Sequence, residues 1–160
     1  DWRIAGGGVV GLRGAQRSQP MQHPDAPGLP VEFGNAGAVD TQGTGWFVGY
    51  SDWCKTGTQQ LRHVDMDSAA RGPLVKWFAH PPGDPAGQVK PLSTGRTVSV
   101  LVSEGGEFRI DFCADPVFSP DSTTTHWLRQ PGDFVVWGPG VYHRSFGLRA
   151  STILTLRWEP

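Results

Sequence analysis

The stretch GDFVVWGPGVYH, residues 132–143, decides the fold. Gly132 opens it, an apolar run follows at 134–137, and Gly138-Pro139-Gly140 interrupts the chain before Val141, Tyr142 and His143. A short β-branched and aromatic run ended by Gly and Pro reads as a strand running into a turn at GPG. QPGD (130–133) marks a second turn just upstream, so residues 126–143 hold short strands around tight turns. The same texture recurs outward. RTVSVLVS (96–103) alternates with period two: Val98, Val100 and Val102 on one face, Thr97, Ser99, Leu101 and Ser103 on the other. EGGE then turns the chain and FRIDF (108–112) returns, a hairpin reading supported by the positive φ open to Gly105-Gly106. STILTLRW (151–158) closes the chain, with Ile153, Thr155 and Arg157 opposite Leu154, Leu156 and Trp158. PLVKWFAH (73–80) is a strand ending in a histidine before the loop PPGDPAG. WFVGYSDW (46–53) is aromatic and β-prone, and QQLRHVDMD (59–67) alternates weakly.

This gives seven or eight short strands near ten-residue spacing, without a convincing helix or an internal repeat, which means a sandwich or a barrel. Composition agrees. The 160 residues suit one domain, and 22 Gly with 14 Pro exceed a fifth of the chain, against ~12% in average usage. Helix interiors tolerate neither residue, so a helix bundle is excluded. Residues 1–45 are Gly/Pro-rich and aperiodic apart from the run Val9-Val10-Gly11-Leu12. They read as an extended N-terminal arm, or a disordered tail, ahead of a single domain at 46–160. Net charge is −1 with 18% charged residues, which favours neither a nucleic-acid nor a membrane partner. The excess of Arg over Lys, with abundant Gly, Ala and Pro, suits a GC-rich bacterium. Cys54 and Cys113 have no metal-finger spacing and read as free thiols of a cytoplasmic protein rather than one disulfide. No apolar run is long enough for a membrane span, and the first 30 residues lack a signal-peptide apolar core.

GDFVVWGPGVYH resembles the second sequence motif of the cupin superfamily: Gly132, the strand 134–137, Gly140 and His143 match, with Gly138 at the family's proline position and Pro139 beside it. LVSEGGEFRIDF resembles the hairpin between the family's two motifs, and VKWFAHPPGD stands where the first motif belongs. Together with LTLRW, these are similar to short bacterial single-domain cupin-like proteins, over residues 74–158. The resemblance implies an all-β fold, a double-stranded β-helix or jelly-roll barrel, with ligands and metals held inside. It also implies a metal-binding first motif of His-x-His followed by Glu. Here His80 matches the first His, Pro82 occupies the second, and Asp84 is the nearest carboxylate.

Two chemistries are open. His80 and His143, with Asp84 as third ligand, would form a two-histidine, one-carboxylate face for one divalent metal (Fe, Ni, Mn or Zn). Without a metal, His143 would serve as acid or base, with Tyr142, Lys76 and Asp84 orienting a substrate. That suits a cyclase, isomerase or lyase of bacterial specialised metabolism, where positioning contributes much of the rate. Period two puts Lys76, Phe78 and His80 on one strand face and Val75, Trp77 and Ala79 on the other, and either face could be the inner one. Trp77, Phe78 and Trp137 are candidates for lining the pocket, and Arg157 for binding a substrate carboxylate.

The bland alternatives are that His80 merely ends a strand, that His143 is a satisfied histidine, and that the domain is a non-enzymatic ligand-binding or sensor module. His126 reads as a surface residue, His63 as part of a solvated face, and His23 as an arm residue without ligand role. Asp65 and Asp67 read as a solvated edge, and Arg109 and Asp111 as pairing with a neighbouring strand. Cys113 has no adjacent base. No phosphate-cradling loop, GxSxG or HExxH motif is present. The expected partners are a small organic ligand and a second copy, paired through edge strands.

Overall fold

The computed structural model describes residues 28–43, 47–55, 59–65 and 73–160. The expectations for Val9 to Leu12, for His23 and for Asp67 lie outside them. The described strands are β1 (Val31–Asn35), β2 (Leu74–His80), β3 (Arg96–Leu101), β4 (Phe108–Cys113), β5 (Thr124–Leu128), β6 (Asp133–Trp137), β7 (Tyr142–Gly147) and β8 (Ser151–Trp158). One 3-10 turn, Asp52–Cys54, is the sole helical element among the described residues.

The strands form a five-stranded sheet ordered β1-β6-β3-β8-β2 and a three-stranded sheet ordered β5-β4-β7. Residues 86–93 run along the open side of β7. Gly87 N–H donates to Ser145 O (2.9 Å), Lys90 N–H to His143 O (2.9 Å) and Ser93 N–H to Val141 O (3.0 Å). From β2 onward the pairing is nested: β2 with β8, 86–93 with β7, β3 with β6, and β4 with β5. A long hairpin wound on itself in this way is a jelly roll, so the chain is an all-β, cupin-like barrel.

The EGGE turn forms, with Gly105 at φ +68°, but it does not close a hairpin. Both edges of β3 are taken by β6 and β8, so the chain crosses and β4 starts the other sheet. WFVGYSDW and QQLRHVDMD do not form a ladder. Within their described parts only one bridge, Gly49 to His63, is paired. Phe47, Val48, Leu61 and Val64 cover the outer face of the five-stranded sheet instead, over Val98, Val100, Phe134, Val136 and Trp158. A second core fills the barrel interior: Leu101, Phe108, Ile110, Phe112, Leu128, Val135, Trp137 and Ile153. The large sheet is therefore apolar on both faces, which is why β6 reads as an unbroken apolar run. Residues 31–35 of the N-terminal segment add β1 to the edge of β6. Cys54 and Cys113 are both free and buried. No helix among the described residues is long and apolar enough to cross a membrane.

Candidate functional site

Strand register sorts the inward side chains into rows. Val31, Trp137, Thr97, Arg157 and Leu74 align across the large sheet at one end of the barrel. The next row is Phe33, Val135, Ser99, Thr155 and Lys76. Then come Leu101, Ile153 and Phe78, and last Ser151 with His80. Ile153, Leu101, Val135 and Trp137 belong to the interior core, which fixes this as the inner face. On the facing sheet, His143 and Thr124 flank Phe112, His126 and Ser145 flank Ile110, and Leu128 and Gly147 flank Phe108.

At the first row, His143 lies 4.8 Å from Trp137 between ring centroids, and Trp137 lies 5.3 Å from Phe112. His143 Nδ1 is buried without a hydrogen-bond partner among the described residues. Burial pushes His143 down to about 4, helped by the positive charges of Lys90, Arg157 and Lys76. At neutral pH it is an uncharged imidazole. Hydroxyls line the same rows: Thr97 and Ser99 are buried, and Ser99 Oγ lies 3.2 Å from Thr155 Oγ1. The hydroxyls and His143 are thus set among Trp137, Phe112, Val135 and Val141, which belong to one continuous apolar cluster with Leu101, Ile153, Phe108 and Leu128.

His80 also faces inward, but at the other end of the barrel. Its ring rests on Phe78 (4.5 Å) and Phe108 (5.2 Å), and its Nδ1 lies 3.4 Å from Asp84 Oδ2. Burial lowers its pKa, opposed by Asp84. Phe108 and Phe112 are four residues apart on β4, roughly 13 Å of strand at ~3.4 Å per residue. Two imidazoles on one ion each hold a nitrogen ~2 Å from it. His80 and Asp84 therefore do not converge with His143. Among the described residues, no group of three His, Cys, Asp or Glu could hold a metal. The segment hydrogen-bonded beside His143 is 86–93, and it brings Lys90 there rather than a ligand. The first-motif stretch became β2, one strand too early and in the other sheet.

Two further expectations are corrected by alternation. Trp77 is 66% exposed on the outer face of β2, so it does not line the interior. Tyr142 shares the outer face of β7 with Arg144 and Phe146, directed away from His143. Trp137 lies against His143, whereas Lys76 has its ammonium 5.8 Å from the ring of Phe78, which lies with His80, and Arg157, on the same face, is exposed. His126, expected on the surface, is buried inside against Phe33 and Phe112, because Leu128 and His126 share the inner face of β5. Sequence reasoning missed Lys90, Thr97, Ser99 and Thr155. The period-two pattern already put Thr97 and Ser99 on a face with Leu101, but polar residues on an inner face look like a solvent face. Outside the barrel, Asp111 is buried, accepts hydrogen bonds from Arg144 (2.9 Å) and Thr125 (2.9 Å), and forms an ion pair with Arg109 (3.2 Å).

No protein-family model and no curated protein matches the chain. Among solved structures, it is similar to a variant of 2-hydroxyethylphosphonate dioxygenase (HEPD) at 18% identity and a TM-score of 0.39, covering 52% of this chain and 17% of that one. HEPD of Streptomyces albus with its substrate and Fe(II) gives 14%, 0.38, 53% and 17%. Hydroxypropylphosphonic acid epoxidase (HppE) from S. wedmorenis in complex with fosfomycin gives 12%, 0.39, 52% and 41%. The chain thus spans well under half of each. Identity this low speaks to fold alone.

Proposed function

We propose that this protein acts on a small organic molecule held in its barrel beside His143, with His143 as the proton-accepting group and without His80. The observation that carries this is the buried His143 imidazole, whose Nδ1 has no hydrogen-bond partner among the described residues, set in an interior that also holds the hydroxyls of Ser99 and Thr155. An apolar interior would have been more stable, so retained polar groups indicate a ligand. His143 keeps a free lone pair at neutral pH, and Trp137 and Phe112 supply flat surfaces that fix a substrate's shape. The reaction class is a metal-free cyclisation, isomerisation or elimination. The setting is a bacterial cytoplasm, in which Cys54 and Cys113 stay reduced. Two copies pair through β2, whose exposed edge carries Leu74, Val75 and Trp77.

The test is incubation of the protein with a small-molecule extract of a GC-rich bacterium, followed by mass spectrometry beside the His143→Gln variant. A compound converted by the wild type and spared by the variant is the expected result. A compound that binds and returns unchanged from both would make this a binding module. Elemental analysis of freshly purified protein is the companion measurement, expected to find no stoichiometric Fe, Ni, Mn or Zn. A stoichiometric metal lost in both His80→Ala and His143→Ala would reinstate the metal reading.

A further inference from the structure

We infer that two copies of this chain meet along β2 in one register, antiparallel about a two-fold axis at Trp77, so that their five-stranded sheets run on into one another. The inference rests on the proposed pairing through β2 and states how the copies meet. Three observations carry it.

The first is that β2 lacks a neighbour on three sides. It ends the order of the large sheet, so its second edge has no partner strand among the described residues. The apolar cover on the outer face of that sheet packs over residues of β3, β6 and β8 and stops short of β2, where Trp77 is 66% exposed. On the inner face Leu74 is 70% exposed, and Phe78 is exposed although Ile153, its neighbour on β8, is buried. An apolar edge strand bare on both faces is a template for a further strand.

The second is self-complementarity. A two-fold contact opposes residue i of one copy to residue j of the other, and j to i. An axis perpendicular to the sheet keeps the two inner faces continuous, so i and j must lie on the same face of β2. Trp77 is the midpoint of Leu74–His80. The register centred there pairs the whole strand: Trp77 with the partner's Trp77, Val75 with the partner's Ala79, Lys76 with the partner's Phe78 and Leu74 with the partner's His80. The outer face of the joint is then wholly apolar. On the inner face a lysine meets an aromatic ring, as it does within the chain, where the Lys76 ammonium lies 5.8 Å from the Phe78 centroid.

The third is that the other registers carry a penalty. Lys76 is the sole Lys, Arg, Asp or Glu of β2. Centring on Lys76 sets two ammonium groups directly opposite each other, which destabilises the pair. Centring on Val75 runs Trp77 against the partner's Pro73, and centring on Phe78 runs Val75 and Leu74 against the partner's Pro81 and the partner's Pro82. Proline has no N–H for a ladder. One lysine and the flanking prolines thus select the register at Trp77.

Sedimentation velocity and cysteine cross-linking test this on the intact chain. The wild type is expected to sediment as a dimer. Val75→Cys and Ala79→Cys, mixed as separate proteins and oxidised, should give a disulfide-linked dimer on a non-reducing gel, because opposed residues fall within the ~4.4–6.8 Å between Cα atoms that a disulfide spans. Neither variant alone should link, since each residue stands four positions away from its own copy. Both positions are exposed, so neither substitution opens a core, and Cys54 and Cys113 are buried, so the wild type is the unlinked control. Trp77→Lys opposes two ammonium groups at the axis and should weaken the dimer at least about tenfold. A dimer that links through Lys76→Cys alone or Phe78→Cys alone overturns the register and keeps the pairing through β2. A dimer that Trp77→Lys leaves intact and that no β2 cysteine links overturns β2 as the interface. A monomer at every accessible concentration overturns the pairing and the register together.

Discussion

His143 carries a measurable signature at the scale of a single residue. Its folded-state pKa of about 4 lies below the ordinary 6.5, so the unfolded chain takes up a proton first as pH falls. Stability is then complete above pH 6.5 and declines between 6.5 and 4, by up to about 3 kcal/mol. His80 is shifted in the same direction and adds to the same decline. Denaturant unfolding across that range should show the loss, and His143→Gln should flatten it. A variant as pH-sensitive as the wild type would refute the assignment. Asp111 supplies a second residue-scale prediction. It is buried between two guanidiniums, so Asp111→Ala leaves Arg109 and Arg144 facing each other and should cost about 3 kcal/mol by chemical denaturation.

The element whose geometry matters most is the end of β7, where the loop after β2 docks. Gly83 N–H donates to Gly147 O (2.7 Å) and Gly147 N–H to Pro85 O (3.0 Å). A Cβ on Gly147 would collide with the Asp84 carbonyl, a backbone atom that cannot turn aside. Gly147→Ala should therefore destabilise by about 3 kcal/mol and disturb Asp84 beside His80. Gly140 is a contrasting case. It sits at φ +83° with open space around it, so Gly140→Ala should cost only about 1 kcal/mol, from backbone conformation alone. Thermal unfolding of the two variants side by side separates collision from conformation. At β2, an exposed edge strand with Trp77 and Val75 on its outer face, Trp77→Lys should reduce self-association in sedimentation while changing stability by under about 0.5 kcal/mol.

Over the whole molecule, stability comes from two apolar layers on either side of one sheet. The inner layer closes the barrel, and the outer one is covered by segments around Phe47, Leu61 and Val64. Arg62, buried beneath that cover, bonds Glu32 of β1 at 2.6 Å and the Phe47 carbonyl at 2.8 Å. The sheet's outer face is thus as much a core as the barrel interior. The barrel can consequently keep polar side chains at its mouth, since the outer layer carries part of the hydrophobic stabilisation.

The sequence by itself determined the β class, most strand positions from Leu74 to Trp158, though not the strand Tyr142–Gly147, and the alternation within β2, β3 and β8. These follow from local turn chemistry and period-two patterning, both short-range properties. It also singled out His143 and Trp137, whose rings the fold brings together. Which face of each strand points inward was decided only in three dimensions. Val98 and Val100 face out and Thr97 and Ser99 face in because a separate segment covers the outside of the sheet. The same holds for His80. Its strand pairs with β8 rather than β7, and that single choice of partner puts it about four residues of strand from His143. Pairing between distant strands depends on which edges remain free when the barrel closes, and no local pattern records that.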